Sequence, residues 1–203
     1  MGDQRSPRRV VLASASPARL AILRRAGLHP EVAVSGLDES AVAAATAAEV
    51  AQARAEAKAQ AVAERLDTPA LVVGCDSVLE LDGEVYGRPP DSAEARSRWR
   101  RMRGRAGVLH TGHWVVDTST GRSVGGTGST LVRFAEVSDD EIDAYVATGE
   151  PLQVAGGFTV DGLGGPFVRR VDGDHHNVVG LSLPLLRDLF AELGVRWTDL
   201  WAG

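Results

Sequence analysis

Apolar and polar positions along this chain repeat with two periods, and the changes between them outline the elements. Val10–Ala13 is a short apolar run that predicts a strand. The polar turn Ser14-Ala15-Ser16 follows it. Pro17 suits a first helical position with Ser16 as N-cap, so a helix is predicted to Ala26, with Gly27 just past its end. Glu31–Val34 predicts a second strand. Residues 41–63 hold 13 alanines, and from Ala51 to Ala63 they fall on alternate positions, which mimics the period of a strand. Helix propensity overrides the mimicry, because alanine is the best helix former and a poor strand former. On that helix Glu49, Gln52, Glu56, Gln60 and Glu64 share one polar face. Arg54 and Lys58 stand four apart on another, where like charges repel mildly. A solvated face is the ordinary explanation of such a pair; two cations aimed at one anion is the sharper one.

Leu71–Asp76 predicts a buried strand, and Leu81-Asp82-Gly83-Glu84 carries the Asp-Gly hairpin signal. Asp91 with Glu94 opens a helix through about Met102, and Ser138 with Glu141 opens another that ends near Thr148-Gly149. A β-hairpin is expected over Leu109–Phe134, turning at Ser119–Gly121. A strand around Phe167–Val171 and a helix from Pro184 to about Leu193 complete the chain. This predicts an α/β fold, a mixed sheet with flanking helices. Strands and helices do not alternate regularly, which argues against a doubly wound fold. No solenoid repeat or linker divides the sequence, so one domain over 1–203 is expected, with 1–7 a flexible tail.

Composition narrows the function. With 44% hydrophobic residues in 203, the chain has enough apolar material for a core. Its 22 Lys and Arg against 27 Asp and Glu give a net charge of −5, which argues against a partner such as DNA or RNA polymer. Aromatics at 5% leave little for stacking single-stranded bases. No run approaches the roughly 18 apolar residues of a membrane span, and Val10–Ala13 is too short for a secretory leader. Cys75 is the single cysteine, so no internal disulfide or multi-cysteine zinc site forms. A cytoplasmic location is expected.

Three places could carry chemistry. Ser14 and Ser16 offer hydroxyls where the first helix begins, whose free N–H groups and dipole favour an anion, and Arg19 lies about one turn in. A plain capped helix reads the same way. Gly74-Cys75-Asp76-Ser77 places a carboxylate at a predicted strand end, suited to holding a metal or activating water, or serving only as a turn residue. Cys75 with His110 or His113 would make a nucleophile, but a strand setting favours a small packed thiol. Asp172, Asp174, His175 and His176 suggest a metal; the embedded Gly173 favours a polar turn. Gly125-Gly126-Thr127-Gly128-Ser129 lacks the Lys of a P-loop.

With these residues in view, the chain resembles the Maf family of nucleoside triphosphate pyrophosphatases. The likeness begins at Leu12-Ala13-Ser14-Ala15-Ser16-Pro17-Ala18-Arg19 and continues in order through Asp38-Glu39, Lys58-Ala59, Val73-Gly74-Cys75-Asp76-Ser77, Leu81-Asp82-Gly83-Glu84 and Gly87-Arg88-Pro89. It extends through Gly104-Arg105, Thr111-Gly112, Tyr145, Gly149-Glu150-Pro151 and Ala155-Gly156 to Asn177-Val178-Val179-Gly180-Leu181. The resemblance implies two lobes around a cleft, as in inosine triphosphatase-type pyrophosphatases. It implies hydrolysis of a nucleoside triphosphate, noncanonical or pyrimidine, between its α- and β-phosphates. Carried over by position, Asp76 accepts the proton of water, assisted by Lys58. Glu39 and Asp76 hold a divalent cation, Mg²⁺ or Mn²⁺, while Ser14, Ser16, Arg19, Lys58 and Arg88 meet the phosphates.

The departures fall elsewhere. Ala18, Ser77 and Asp161 stand where the family often has Arg, Thr and Gln, at places associated with base preference. Arg88 replaces a frequent Lys, keeping charge and changing geometry. Gly107 and Val154 stand where His and Lys are frequent. The partner expected is therefore a nucleoside triphosphate, without nucleic acid polymer or membrane, and a homodimer is compatible with the sequence. The rival expectation is a nucleotide-binding regulator of septum formation with little turnover.

Overall fold

The computed structural model describes residues 8–37, 42 and 44–201, so the tail expected at 1–7 and the acidic pair Asp38-Glu39 lie outside the described residues. Seven strands form one mixed sheet: β1 (Val10–Leu12), β2 (Glu31–Val32), β3 (Leu71–Leu81), β4 (Glu84–Tyr86), β5 (Ala106–Asp117), β6 (Arg122–Phe134) and β7 (Val168–Asp172). Their order is β2-β1-β3-β5-β6-β7, with β4 also on β3. β1 runs parallel to both neighbours and the remaining pairs are antiparallel. The helices are α1 (Pro17–Arg25), α2 (Ala47–Ala63), α3 (Ser92–Met102), α4 (Asp139–Ala147), α5 (His175–Val179) and α6 (Leu183–Glu192).

Local chemistry explains most of these boundaries. Ser16 Oγ accepts the Arg19 amide at the start of α1, and reciprocal capping boxes open α2 at Thr46/Glu49 and α4 at Ser138/Glu141. The β3–β4 hairpin turns through Asp82 and Gly83 at φ 55° and 78°, the left-handed pair that a two-residue turn needs. Two expectations change. β3 continues through Asp76 to Leu81, because β5 pairs with it from Leu71 to Glu80 and its polar residues Asp76 and Ser77 are buried there. The Asp172–His176 stretch does turn at Gly173 (φ 132°), but Asp174 then caps a short helix where only a turn was expected.

Along β3 the side chains sort by face and by position. Val73 and Cys75 join a core with α1 and α6 residues such as Leu23 and Phe190, while Leu79 and Leu81 join a second core around Trp99, Ile142 and Tyr145. On the opposite face Val72 packs with Ala59 and Val62 of α2, and Val78 packs with Ala47, Val50 and Ala51. The alanines of α2 make close approach possible. A Cβ at Gly74 on β3 would stand 2.2 Å from the Ala55 carbonyl, and one at Gly112 on β5 would stand 2.2 Å from that of Ala51. Alternating alanines thus reflect a helix seated almost backbone to backbone on two glycines. Asp76 sits two residues beyond Gly74 on the same face, directly opposite Gly112.

Candidate active site

β1 pairs with β3 only as far as Val73, and the chain then leaves the sheet for α1. The β3 edge beyond this point needs another partner, and Arg19 from the first turn of α1 supplies it. Its side chain donates through Nε to the Gly180 carbonyl (2.7 Å) and through one Nη to Ser14 Oγ (3.0 Å) and the Cys75 carbonyl (2.9 Å). The other Nη reaches Ser77 Oγ (3.0 Å). This buried guanidinium thus links β1, β3 and the end of α5. Ser14 Oγ also accepts the Ser16 amide (3.2 Å), which commits its lone pairs and leaves its proton to donate outward. Ser77 Oγ lies 2.9 Å from Thr111 Oγ1, which donates to the Asn177 carbonyl (3.0 Å), so the chain of hydroxyls runs from Arg19 into the molecule. Asn177, fully buried, donates to the Leu109 carbonyl (3.2 Å) and to Thr130 Oγ1 (3.0 Å).

Asp76 points the other way, toward α2. Lys58 Nζ donates to its Oδ1 at 2.5 Å. Arg54 Nη1 stands 3.7 Å from Oδ2, an ion pair without a hydrogen bond. Both Asp76 Oδ2 and Arg54 Nε are buried without a hydrogen-bond partner. The two cations four apart on α2 therefore do converge on one anion, and that anion is a carboxylate of the protein. Leaving buried polar atoms unmatched costs about 1–3 kcal/mol each. Unmatched groups on facing side chains mark a place shaped to receive something.

The neighbouring thiol and the imidazole opposite it are inert by construction. Burial pushes the Cys75 thiol up to about 11. His113, opposite it on β5, donates from Nδ1 to the Thr111 carbonyl (3.0 Å) and accepts the Ser182 amide at Nε2 (2.8 Å). Burial holds it down to about 4, so it is a neutral brace. His110 lies between Ser129 Oγ (2.8 Å) and Glu80 (3.0 Å).

The structure thus brings Ser14, Arg19, Lys58, Asp76 and Ser77 to one stretch of β3. Ser16 caps α1 beside them. Ala18 is half-buried in the same first turn. Arg88 is exposed after β4, in a segment pinned by the Gly87 carbonyl, which accepts from Gly156 N (3.1 Å) and Arg98 (2.8 Å). Asp161 is exposed on a loop organised by Glu150, whose carboxylate accepts from Tyr145 Oη (2.8 Å), Thr159 Oγ1 (2.5 Å) and the amides of Leu163 and Gly164 (both 3.0 Å). Among the described residues no three His, Cys, Asp or Glu side chains gather as a metal cluster, at Asp172–His176 or elsewhere. Thr111 and Asn177, which tie the site to the sheet, carry no local signal of that role; the pairing of β3 with β5 reveals it.

Comparison with known proteins places these features in a wider set. The family model described as Maf-like protein matches residues 9–193. A nucleoside triphosphate pyrophosphatase of Streptomyces coelicolor is 63% identical over 96% of this chain and 95% of its own. Another so named, from Salinispora tropica, is 60% identical over 97% of this chain and 88% of its own. A solved nucleoside-triphosphatase / dITP/XTP pyrophosphatase from Mycobacterium abscessus aligns over 92% of this chain and 95% of its own, at 16% identity and a TM-score of 0.44. With a family match across nearly the whole sheet and relatives this similar over nearly their full length, the chain belongs to the Maf-like protein family.

Proposed function

We propose that this protein is a nucleoside triphosphate pyrophosphatase, which adds water at the α-phosphate and releases the monophosphate and pyrophosphate. Family membership and the names of its relatives support the reaction class. The observation that carries the mechanism is the divided environment of Asp76: one carboxylate oxygen held by Lys58, the other buried and bare.

In this reading Lys58 fixes the carboxylate, and Oδ2 takes the proton of a water attacking phosphorus. The O–P bond forms as the bond from the α-phosphorus to the α–β bridging oxygen breaks, and pyrophosphate departs with that electron pair. Ser14 donates its remaining proton, and the amides at the start of α1 point toward the phosphate chain. Arg88, from the segment after β4, meets the phosphates as well. The donor set fits Mg²⁺ or Mn²⁺, which bind through one or two carboxylates together with substrate phosphates. Asp76 and Glu39 are the two carboxylates that the resemblance assigns to such a cation. A bound cation would neutralise charge building on the phosphates. Base selection belongs to Ala18, Ser77 and Asp161, among which Ser77 has its hydroxyl already engaged by Arg19 and Thr111.

The test is turnover of a panel of normal and modified nucleoside triphosphates with Mg²⁺ or Mn²⁺, with the products separated and Asp76→Asn in parallel. Pyrophosphate plus monophosphate is expected, falling by about 10²–10⁴-fold in the variant while nucleotide still binds. Orthophosphate as the product would replace this reading with another hydrolase. Bound nucleotide without turnover would replace it with a regulator.

A further inference from the structure

Two arginines approach Asp76 and its neighbours, and they differ in what their guanidinium groups have left to offer. Arg19 commits four of its five N–H groups to Gly180, Ser14, Cys75 and Ser77. Arg54 commits none among the described residues: Nη1 stops 3.7 Å from Asp76 Oδ2, and Nε is buried without an acceptor. Some arginine–carboxylate pairs in this same protein close fully, although exposed Arg100 stops 3.6 Å from Asp139. Arg101 grips Glu84 at 2.9 and 2.8 Å, and Arg9 grips Glu31 at 2.7 Å through two nitrogens. The Arg54–Asp76 pair stays open even though its carboxylate is deeply buried, where closure would be most favourable. The Arg54 side chain retains 19% exposure, so part of this donor-rich side chain beside the bare carboxylate oxygen still meets solvent.

We propose that Arg54 contacts the phosphoryl group under attack, donating to its non-bridging oxygens as their charge grows. This rests on the reading that Asp76 Oδ2 receives the proton of the attacking water. The atom that takes that proton must lie within a water's width of the phosphorus, and Arg54 is the described cation next to that oxygen. Lys58 is engaged at the other. Arg54 thereby supplies the planar, two-donor contact that Arg19, tied into the protein, has little capacity left to make.

The experiment uses the full chain, with Arg54→Ala, Arg54→Gln and Arg54→Lys compared with the unchanged protein. Initial rates with triphosphate and Mg²⁺ are measured across substrate concentration, with and without guanidinium at millimolar, non-denaturing levels, and melting temperatures are recorded. Expected is a fall in kcat of about 100-fold in Arg54→Ala and Arg54→Gln, a smaller change in KM, and partial recovery of kcat on adding guanidinium. Arg54→Lys, which keeps charge without the fork, should fall between. An unchanged protein that releases no pyrophosphate overturns the functional reading itself. Normal pyrophosphate release with kcat unaltered in the variants overturns the role of Arg54 alone, as does a rise confined to KM. A loss that guanidinium leaves unrescued, accompanied by lower melting temperatures in both neutral variants, would make Arg54 a structural residue and overturn the proposal.

Discussion

Cys75 and His113 face each other across β3 and β5, an arrangement that elsewhere makes a reactive thiol–imidazole pair. Here both imidazole nitrogens are committed, to the Thr111 carbonyl and the Ser182 amide, and no lone pair remains to take a thiol proton. With the thiol pushed up to about 11, Cys75→Ala should keep turnover within about twofold, and a thiol reagent should label the native chain only after denaturant is added. Loss of several orders of magnitude in that variant would restore a thiol mechanism. His113 gives a pH signature instead. Its folded value lies near 4, below the ordinary 6.5, so at pH values between the two the unfolded chain binds the proton that the folded chain refuses. Stability from this residue is therefore intact above about pH 6.5 and is lost as pH falls toward 4, by about 3 kcal/mol in total. The depressed carboxylates Glu84, Glu150 and Asp117 act only below about pH 4.5, so they do not mimic the His113 effect between 4.5 and 6.5. Urea midpoints should fall across that window in the unchanged protein. In His113→Gln, which still offers an oxygen to Ser182 N, they should stay flat; an equal slope in both would assign the effect elsewhere.

At the scale of elements, α2 shows what sequence can and cannot disclose. Its alanine run, capping box and paired Arg54 and Lys58 are local features, legible because helix propensity and i,i+4 spacing act within a few residues. Their target is not legible: Asp76 lies 18 residues beyond Lys58 and becomes its partner only because Gly74 and Gly112 let the helix settle on β3 and β5. The same contrast separates the well-predicted hairpin at Asp82-Gly83 from the middle of β3, where polar Asp76 and Ser77 read as a stop. α5 was missed because its five residues are too short to show a period after Gly173. This packing makes a direct prediction. Gly74→Ala or Gly112→Ala would push a methyl into an α2 carbonyl and should destabilise the fold by about 3 kcal/mol. Folded protein that remains should also turn over more slowly, since lifting α2 carries Lys58 away from Asp76. A substitution to alanine at Gly83, where nothing lies within 4 Å of the added Cβ but φ is 78°, is a control for backbone strain away from the site. If all three variants unfold at the same urea concentration, close seating of the helix is not what holds the site together.

Over the whole molecule, β3 and β5 run through both hydrophobic cores; Ser77 and Thr111 occupy the interval where one core gives way to the other, and Asp76 stands beside them on the opposite face, under α2. Asn177 stitches that interval to β6 through Thr130. Such a junction is where stability is cheapest to spend on function, because its groups contribute polar contacts in place of apolar burial. A triphosphate bound there would touch the turn before α1 on one side, α2 above, and, through Arg88, the segment beyond β4 on the other. Ligand binding should therefore stabilise both cores together. At 100 times its dissociation constant, a triphosphate adds about 2.7 kcal/mol by mass action, which for a chain of this length raises the melting temperature by about 5–10 °C. The measurement belongs in Asp76→Asn, where slow hydrolysis keeps the ligand whole during a calorimetric scan. A single transition is expected with and without nucleotide, displaced upward as one, because β3 and β5 carry residues of both cores and cannot leave one without leaving the other. Two transitions, only one of which moves, would confine the nucleotide to one core and break the link between the shared strands and the site.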